Sequence, residues 1–386
     1  MKRIFTFLMM VAAFAAAASC GLEGVETPDE PNTDQNPDPE PEPNPGEGDS
    51  GNTSTDLTIS IDTPVIRADG QSAANITVKL GTEVLKDGVK FYDDKTNKLM
   101  DITDFAFKTT QAGVYSFWAS YKTFNTTPVT VTAITSPIPD LPLDSKPEST
   151  SFVKRVFINQ FTGTGCGFCP NMIAVLTNFG KTYPDKYVLA ACHTYNDDDP
   201  AFLDYSIDNA MAVGGYPCVV LNLDKTQKFQ NDNQPALLKN MFLEDYGTGK
   251  VGAGIAVSTL LDGDNIVIWA EMKVASEGKY RIGAWLLEDG IMARQSGAGV
   301  DPIEHNNCVR DIYSKNTASD YSGRLHIMDA GESAQEFFLA TMNSKWKSAN
   351  CHVVVFVCAQ KSNGNYATVN VIDCPLGKSL SYEYAE

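Results

Sequence analysis

Positive charge is scarce in this chain, with 30 Lys and Arg against 48 Asp and Glu and a net charge of −18. A polyanionic partner needs a basic surface, so the balance argues against nucleic acid. Histidine is scarcer still. Of the four, His305, His326 and His352 share no ligand spacing with carboxylates and read as core or loop residues. There is one Cys-x-x-Cys and no second, which leaves a four-cysteine zinc site half built. No metal and no cofactor is therefore expected. The apolar stretch Ile4 to Ala18 is too short and too alanine-rich to span a bilayer comfortably, and it reads as a removed leader.

Around that stretch, Lys2 and Arg3 precede the apolar run, and Ala17-Ala18-Ser19 lead into Cys20. This resembles a bacterial lipoprotein signal, a plain secretory signal being the alternative. The resemblance implies that residues 1–19 are cleaved and that Cys20 becomes a lipidated N-terminus held in a lipid bilayer. Residues Gly21 to Thr53 hold ten Asp or Glu, seven Pro and no Lys or Arg, so residues 20–53 read as a disordered, extended stalk. Without Lys2 and Arg3 the chain carries −20, of which the stalk supplies −10. The remainder has an ordinary acidic surface.

Residues 54–135 alternate apolar and polar in short runs, such as Leu57-Thr58-Ile59-Ser60-Ile61 and Val129-Thr130-Val131-Thr132-Ala133. They are broken at Asp69-Gly70, Asp87-Gly88 and Ala112-Gly113. Period two with turns at this spacing predicts an antiparallel sandwich. The pieces Ala68 to Ala73 and Ala112 to Tyr115 resemble the immunoglobulin-like repeats of invasin-type bacterial surface proteins. Proline clusters from Pro137 to Pro147 make 136–150 a linker.

Residues 151–249 alternate strand and helix. A strand ending near Phe161 leads into Cys166-Gly167-Phe168-Cys169, and Met172, Ile173, Val175, Leu176 and Phe179 follow at helical spacing. Two thiols on a first helical turn suit a redox dithiol, because the helix N-terminus favours the thiolate of Cys166. A structural disulfide or a zinc half-site fits the spacing too. The strand Tyr187 to Ala191 ends before Cys192 and His193, both read as inert core. At Asn196 to Pro200 an Asp cap and a proline predict another helix, running to Gly214-Gly215. Tyr216-Pro217 then precede the strand Cys218 to Leu221.

A dithiol at a strand-to-helix junction, followed by a Gly-x-Pro before a strand, resembles the thioredoxin fold. That resemblance implies Cys166 as nucleophile, Cys169 as resolving thiol, and a cis peptide at Tyr216-Pro217 that receives an extended substrate. It also implies that the strands ending at Cys192 and beginning at Cys218 flank the dithiol strand, too far apart for those two cysteines to bond. Two positions depart from the family. Gln160 stands where it carries a buried acid, and Gly165 where it carries tryptophan.

From 250 to 386 the pattern returns to strands, with turn signals at Asp262 to Asn265 and Ser362 to Asn365, which predicts a C-terminal β-sandwich. Cys308, Cys351, Cys358 and Cys374 allow three pairings, but Cys351 and Cys358 sit at an odd separation on one strand and face opposite sides. The run 161–170 and His305 to Arg310 resemble the 28-kilodalton outer-membrane lipoprotein family of Bacteroidota. The fold expected is thus multidomain: an immunoglobulin-like sandwich, a thioredoxin-like α/β domain and a C-terminal sandwich. It would lie at the outer membrane, on its periplasmic face or the cell surface. Thiol-disulfide exchange on proteins is one reading. Others are a non-catalytic surface binding or adhesion protein, and a chaperone-like or polymer-binding envelope component.

Overall fold

The computed structural model describes residues 56–230, 234–247 and 251–385. The expected leader 1–19, the expected lipidation site Cys20, the expected stalk 20–53 and the first two residues of the module at 54–135 lie outside the described residues.

The alternating runs of that first module form β1 (Leu57–Ile61), β2 (Val65–Arg67), β3 (Ala74–Leu80), β4 (Glu83–Val84), β5 (Lys90–Asp93), β6 (Ala106–Phe107), β7 (Gly113–Tyr121), β8 (Phe124–Asn125) and β9 (Val129–Ile134). One sheet runs β1-β3-β4 with β6 beside β3, and the other runs β2-β9-β7-β5 with β8 beside β7. Ile76 and Val78 from the first sheet meet Phe117, Ala119 and Val131 from the second in a shared core, the period-two burial of a sandwich strand. Two details differ from expectation. The chain changes sheet between β1 and β2, so β2 arrives parallel to β9. Ala112-Gly113 makes no turn, since Gly113 opens β7 paired with Ala133.

Residues 136–150 contain no helix or strand, yet they are packed. Lys273, only 3% exposed, reaches Asp144 at 3.0 Å, Tyr384 donates to the same carboxylate at 2.6 Å, and Ser258 donates to the Asp140 carbonyl at 2.5 Å. The expected linker is a fixed strap, because a buried ammonium needs acceptors and this segment supplies them.

Next come β10 (Val156–Thr162), α1 (Cys169–Thr182), β11 (Tyr187–His193), α2 (Ile207–Ala210), β12 (Cys218–Leu221), β13 (Lys228–Phe229) and α3 (Pro235–Tyr246). Every residue of β10 is buried, as a strand covered on both faces requires. On one face Met172, Leu176 and Phe179 of α1 and Leu238 and Phe242 of α3 pack on Val156, Ile158, Val219 and Leu221. β11 runs parallel to β10 and β12 antiparallel on its other side, with Phe161 paired to both Cys192 and Cys218. Those two cysteines stand two strand spacings apart and are free. The helix expected from Asp199 is absent, and only Ile207–Ala210 is helical. The Asp199 carboxylate points inward to other donors and caps nothing.

The remaining strands are β14 (Ala253–Asp262), β15 (Asn265–Val274), β16 (Gly278–Glu288), β17 (Ile291–Ala293), β18 (Ile303–His305), β19 (Cys308–Ile312), β20 (Arg324–Met328), β21 (Ser333–Thr341), β22 (Cys351–Gln360), β23 (Tyr366–Pro375) and β24 (Ser379–Leu380). Both predicted hairpins form, β14 with β15 and β22 with β23. The sheet β21-β15-β14-β24 packs on a second, larger sheet through Ile255, Val257, Ile268, Val353 and Val355. On β22, Cys351 joins this core while Cys358 joins the core on the opposite face.

That larger sheet has nine strands in the order β13-β12-β10-β11-β19-β16-β22-β23, with β20 beside β16. It therefore crosses the boundary drawn at 249/250. The join is short: Ala191 pairs with Cys308, and the Ala191 N–H donates to the Asn307 carbonyl at 2.7 Å. Two buried asparagines tie the far side of the sheet back to β10. Asn222 exchanges two bonds with the Phe157 backbone and accepts from Thr368 N–H. Asn370 accepts from Arg155 N–H and donates to the carbonyls of Val153 and Ala253, each at 2.9 Å. Phe157, Trp285 and Phe356 fill the space so enclosed. Side chains that bond two distant backbone segments carry no periodicity, so the two halves read as separate domains in the sequence.

Candidate functional site

β10 ends at Thr162, and the chain turns through Gly163 to Gly165 into the cysteine pair. Cys166 and Cys169 are joined by a disulfide, with α-carbons 5.4 Å apart. Helix α1 begins at Cys169, so Cys166 stands three residues ahead of the helix instead of in its first turn. No side chain caps the helix, and no acidic residue lies in its first turn. Its N-terminal dipole is left for the sulfur of Cys169. Cys166 is only 2% exposed, although Phe168 beside it is 71% exposed.

The Tyr216-Pro217 peptide is cis and immediately precedes β12. Because Cys218 pairs with Phe161, this peptide and the dithiol loop leave the sheet at the same edge. Tyr216 donates to Asp208 at 3.0 Å and lies 2.9 Å from the Thr194 hydroxyl. Burial and the Asp208 charge push its phenol up to about 12, so it remains a donor. Its ring is 5.2 Å from that of Tyr195, whose side chain lies so close to Gly163 that a Cβ there would come within 2.6 Å.

The dithiol loop is held from two sides, and sequence reasoning missed both. On one side Thr164 N–H donates to Asp199 at 2.7 Å and Gly165 N–H to Asn196 at 2.9 Å. Asp199 also meets His193 Nδ1 at 2.8 Å and accepts from Ala201 N–H. Burial alone would raise the Asp199 pKa, but the bonds from His193 and the two amides outweigh it and hold the carboxyl at about 2. His193 Nε2 lies 3.5 Å from Cys308 Sγ. Burial pushes that thiol far up, so it stays protonated. Burial also lowers His305, beside His193, to about 4. On the other side Gln295, from the β17–β18 loop, donates through Nε2 to the carbonyls of Cys166 at 2.9 Å and Gly163 at 3.2 Å. Ser296 N–H donates to the Thr164 carbonyl at 2.7 Å. No sequence motif marks the first group; it is the strand register that brings His193, at the end of β11, level with Thr162.

Gln160 is 4% exposed and its Nε2 has no partner among the described residues. With Thr162 and His305, whose Oγ1 and Nε2 are likewise unpartnered, it lines a cavity of about 270 Å³ against Ile173 and Leu176 of α1. An amide there neither gives nor takes a proton.

Residues 205–379 match the family model described as outer membrane protein Omp28. The Omp28-matching stretch contains Tyr216, Pro217 and His305 to Arg310, and it begins after Cys166 and Cys169. The match supports the outer-membrane family resemblance and an outer-membrane location. Among the described residues no helix is long and apolar enough to cross a membrane. No curated protein matches the chain. Among solved structures the chain is similar to HBP35 of Porphyromonas gingivalis, at 19% identity over 60% of this chain and 77% of that one, with a TM-score of 0.49. It is also similar to protein AGR_C_4864 from Agrobacterium tumefaciens, at 15% identity over 60% and 97%, with a TM-score of 0.39. Neither likeness carries an argument about the site.

Proposed function

We propose that this outer-membrane protein performs thiol-disulfide exchange with extracytoplasmic proteins, through a thioredoxin-like arrangement around Cys166 and Cys169 and on a bilayer anchor at lipidated Cys20. The observation that carries the reading is the closed Cys166–Cys169 disulfide at the same sheet edge as the cis Tyr216-Pro217 peptide. In this oxidised form a partner thiolate attacks Sγ of Cys166, forming a mixed disulfide and expelling Cys169 as a thiolate at the N-terminus of α1. A second partner thiolate then attacks the partner's own sulfur and releases Cys166. Two electrons enter the protein and the partner gains a disulfide. In reverse, Cys166 opens a partner disulfide and Cys169 resolves it, with Tyr216-Pro217 supporting the partner strand.

The test is reduction of a protein disulfide, such as that of insulin, by the reduced protein. Cys166→Ser should abolish it, and Cys169→Ser should accumulate mixed disulfides. Indistinguishable turnover in both variants and the wild type removes the exchange reading. The second reading, a surface binding or adhesion protein with this fold as scaffold, draws on the burial of Cys166 and on the amide at Gln160. It predicts no trapped partner in Cys169→Ser.

A further inference from the structure

We infer that the loop Arg294 to Ala298 is a gate over Cys166, and that the partner it admits is an extended polypeptide segment. The inference rests on the exchange reading for what passes the gate, but not for the gate itself. The loop joins β17 to β18 and lies across the dithiol loop as a backbone strap. Gln295, 3% exposed, spans the carbonyls of Gly163 and Cys166, and Ser296 N–H bonds to the carbonyl of Thr164 between them. Gly297 then meets the Gly167-Phe168 peptide so closely that a Cβ at Gly297 would lie 2.1 Å from the Gly167 carbonyl oxygen. Its φ of +76° also favours glycine. Cys166 is 2% exposed although Gly165 and Gly167 on either side of it are exposed, and the gate assigns that burial to the loop bonded to its carbonyl.

The closed state is poised. Gln295 Oε1 is buried with no partner among the described residues, so closure leaves one acceptor unsatisfied there. Opening takes a donor from the carbonyls of Gly163, Thr164 and Cys166; the first and last keep the N–H groups of Cys166 and Cys169, while that of Thr164 loses the Ser296 N–H. A partner that replaces the strap must bring N–H donors in a row, which an extended backbone does and a lone amino-acid thiol does not. The rim suits such a chain, since Phe168, Tyr195, Met292 and Val300 are exposed apolar side chains in or beside the two loops.

Two measurements on the full mature chain test this. After reduction, the rate of Cys166 alkylation by iodoacetamide is read by peptide mass spectrometry in the wild type, Gln295→Ala and Gly297→Ala. Both variants should react about tenfold faster, a factor that corresponds to ~1.4 kcal/mol. The buried Cys192 and Cys218 serve as the check on folding and should stay unreactive. Equal Cys166 rates in the wild type and a folded Gln295→Ala protein overturn the gate, whether or not exchange activity exists. In Cys169→Ser, mixed-disulfide formation is then compared between free cystine and a disulfide-linked octapeptide. The preference for the peptide should fall when Gln295→Ala is added. A preference that is absent, or unchanged by the added substitution, overturns the partner class while leaving the exchange reading to its own test.

Discussion

Replacing Asp199 by alanine removes one carboxylate and leaves three donors facing it: Thr164 N–H at 2.7 Å, Ala201 N–H at 2.8 Å and His193 Nδ1 at 2.8 Å. The Asp199 and His193 side chains are 0% and 1% exposed, so water cannot take over these bonds without opening the site. A buried donor left unpaired costs ~1–3 kcal/mol. Some relaxation of the 196–201 loop reduces the sum, and a loss of about 3–6 kcal/mol in urea unfolding at pH 7 is expected. The pH dependence supplies an independent check. The Asp199 carboxyl is held at about 2 against an ordinary 3.8. A depressed carboxyl contributes stability that is fully present above the unfolded value and is lost as pH falls through the folded one. The depression corresponds to about 2.5 kcal/mol. The gap between wild type and Asp199→Ala should therefore narrow by about 2 kcal/mol between pH 5 and pH 2, the remainder being lost below pH 2. Exchange of the Thr164 amide should quicken more than that of β10. A loss below about 1 kcal/mol at pH 7, or a gap that does not change with acid, would refute the anchoring of the dithiol loop by this carboxylate.

On the thioredoxin resemblance, which sets position 160 beside the second thiol, Gln160→Asp should speed the proposed exchange near neutral pH by supplying a proton acceptor, at a cost of about 2–4 kcal/mol for the buried carboxylate; an unchanged turnover in the folded variant means that proton removal is not limiting. Asn370→Ala leaves Arg155 N–H and the carbonyls of Val153 and Ala253 without their partner. It should lower stability by about 3–5 kcal/mol, read from the fluorescence of buried Trp285 during unfolding, and a change under about 1 kcal/mol contradicts the stitching role. His352 loses by burial but gains more from Asp373 at 2.6 Å and the Asp289 charge at 3.6 Å, which raise it to about 9. Its contribution, about 2 kcal/mol after screening of the two more exposed carboxylates, is complete below pH 6.5 and should disappear as pH rises through 9. A His352→Gln protein whose stability deficit is the same at pH 6 and pH 10 would exclude it.

Local signals carried much of this fold. The alternation in β1, β3 and β9, the hairpin at Ser362 to Asn365 and the central strand before Cys166 all follow from periodicity and turn chemistry, which neighbouring residues decide. The placement of Cys351 and Cys358 on opposite faces follows from the same period of two. Asp199 shows where such signals stop. An Asp before a proline is a sound helix cap by local rules, yet tertiary bonds to His193 and Thr164 engage the same carboxylate. Gln295 and Gly297 carry no motif at all, because they matter only through contact with a loop more than a hundred residues earlier. The single-pair join of β11 to β19 is equally silent in the sequence.

That join also sets an order of events during biogenesis. A chain delivered N-terminus first presents β11 well before residue 308 arrives, so one edge of the central sheet must wait without its neighbour. An unpaired edge is a template for pairing with other chains. During the same interval Cys192 and Cys218, which the finished sheet seals away, remain open to oxidation. The last third of the polypeptide thus acts as the closing piece for the middle third, and any delay in its arrival exposes both a sticky strand edge and thiols that the native state never shows.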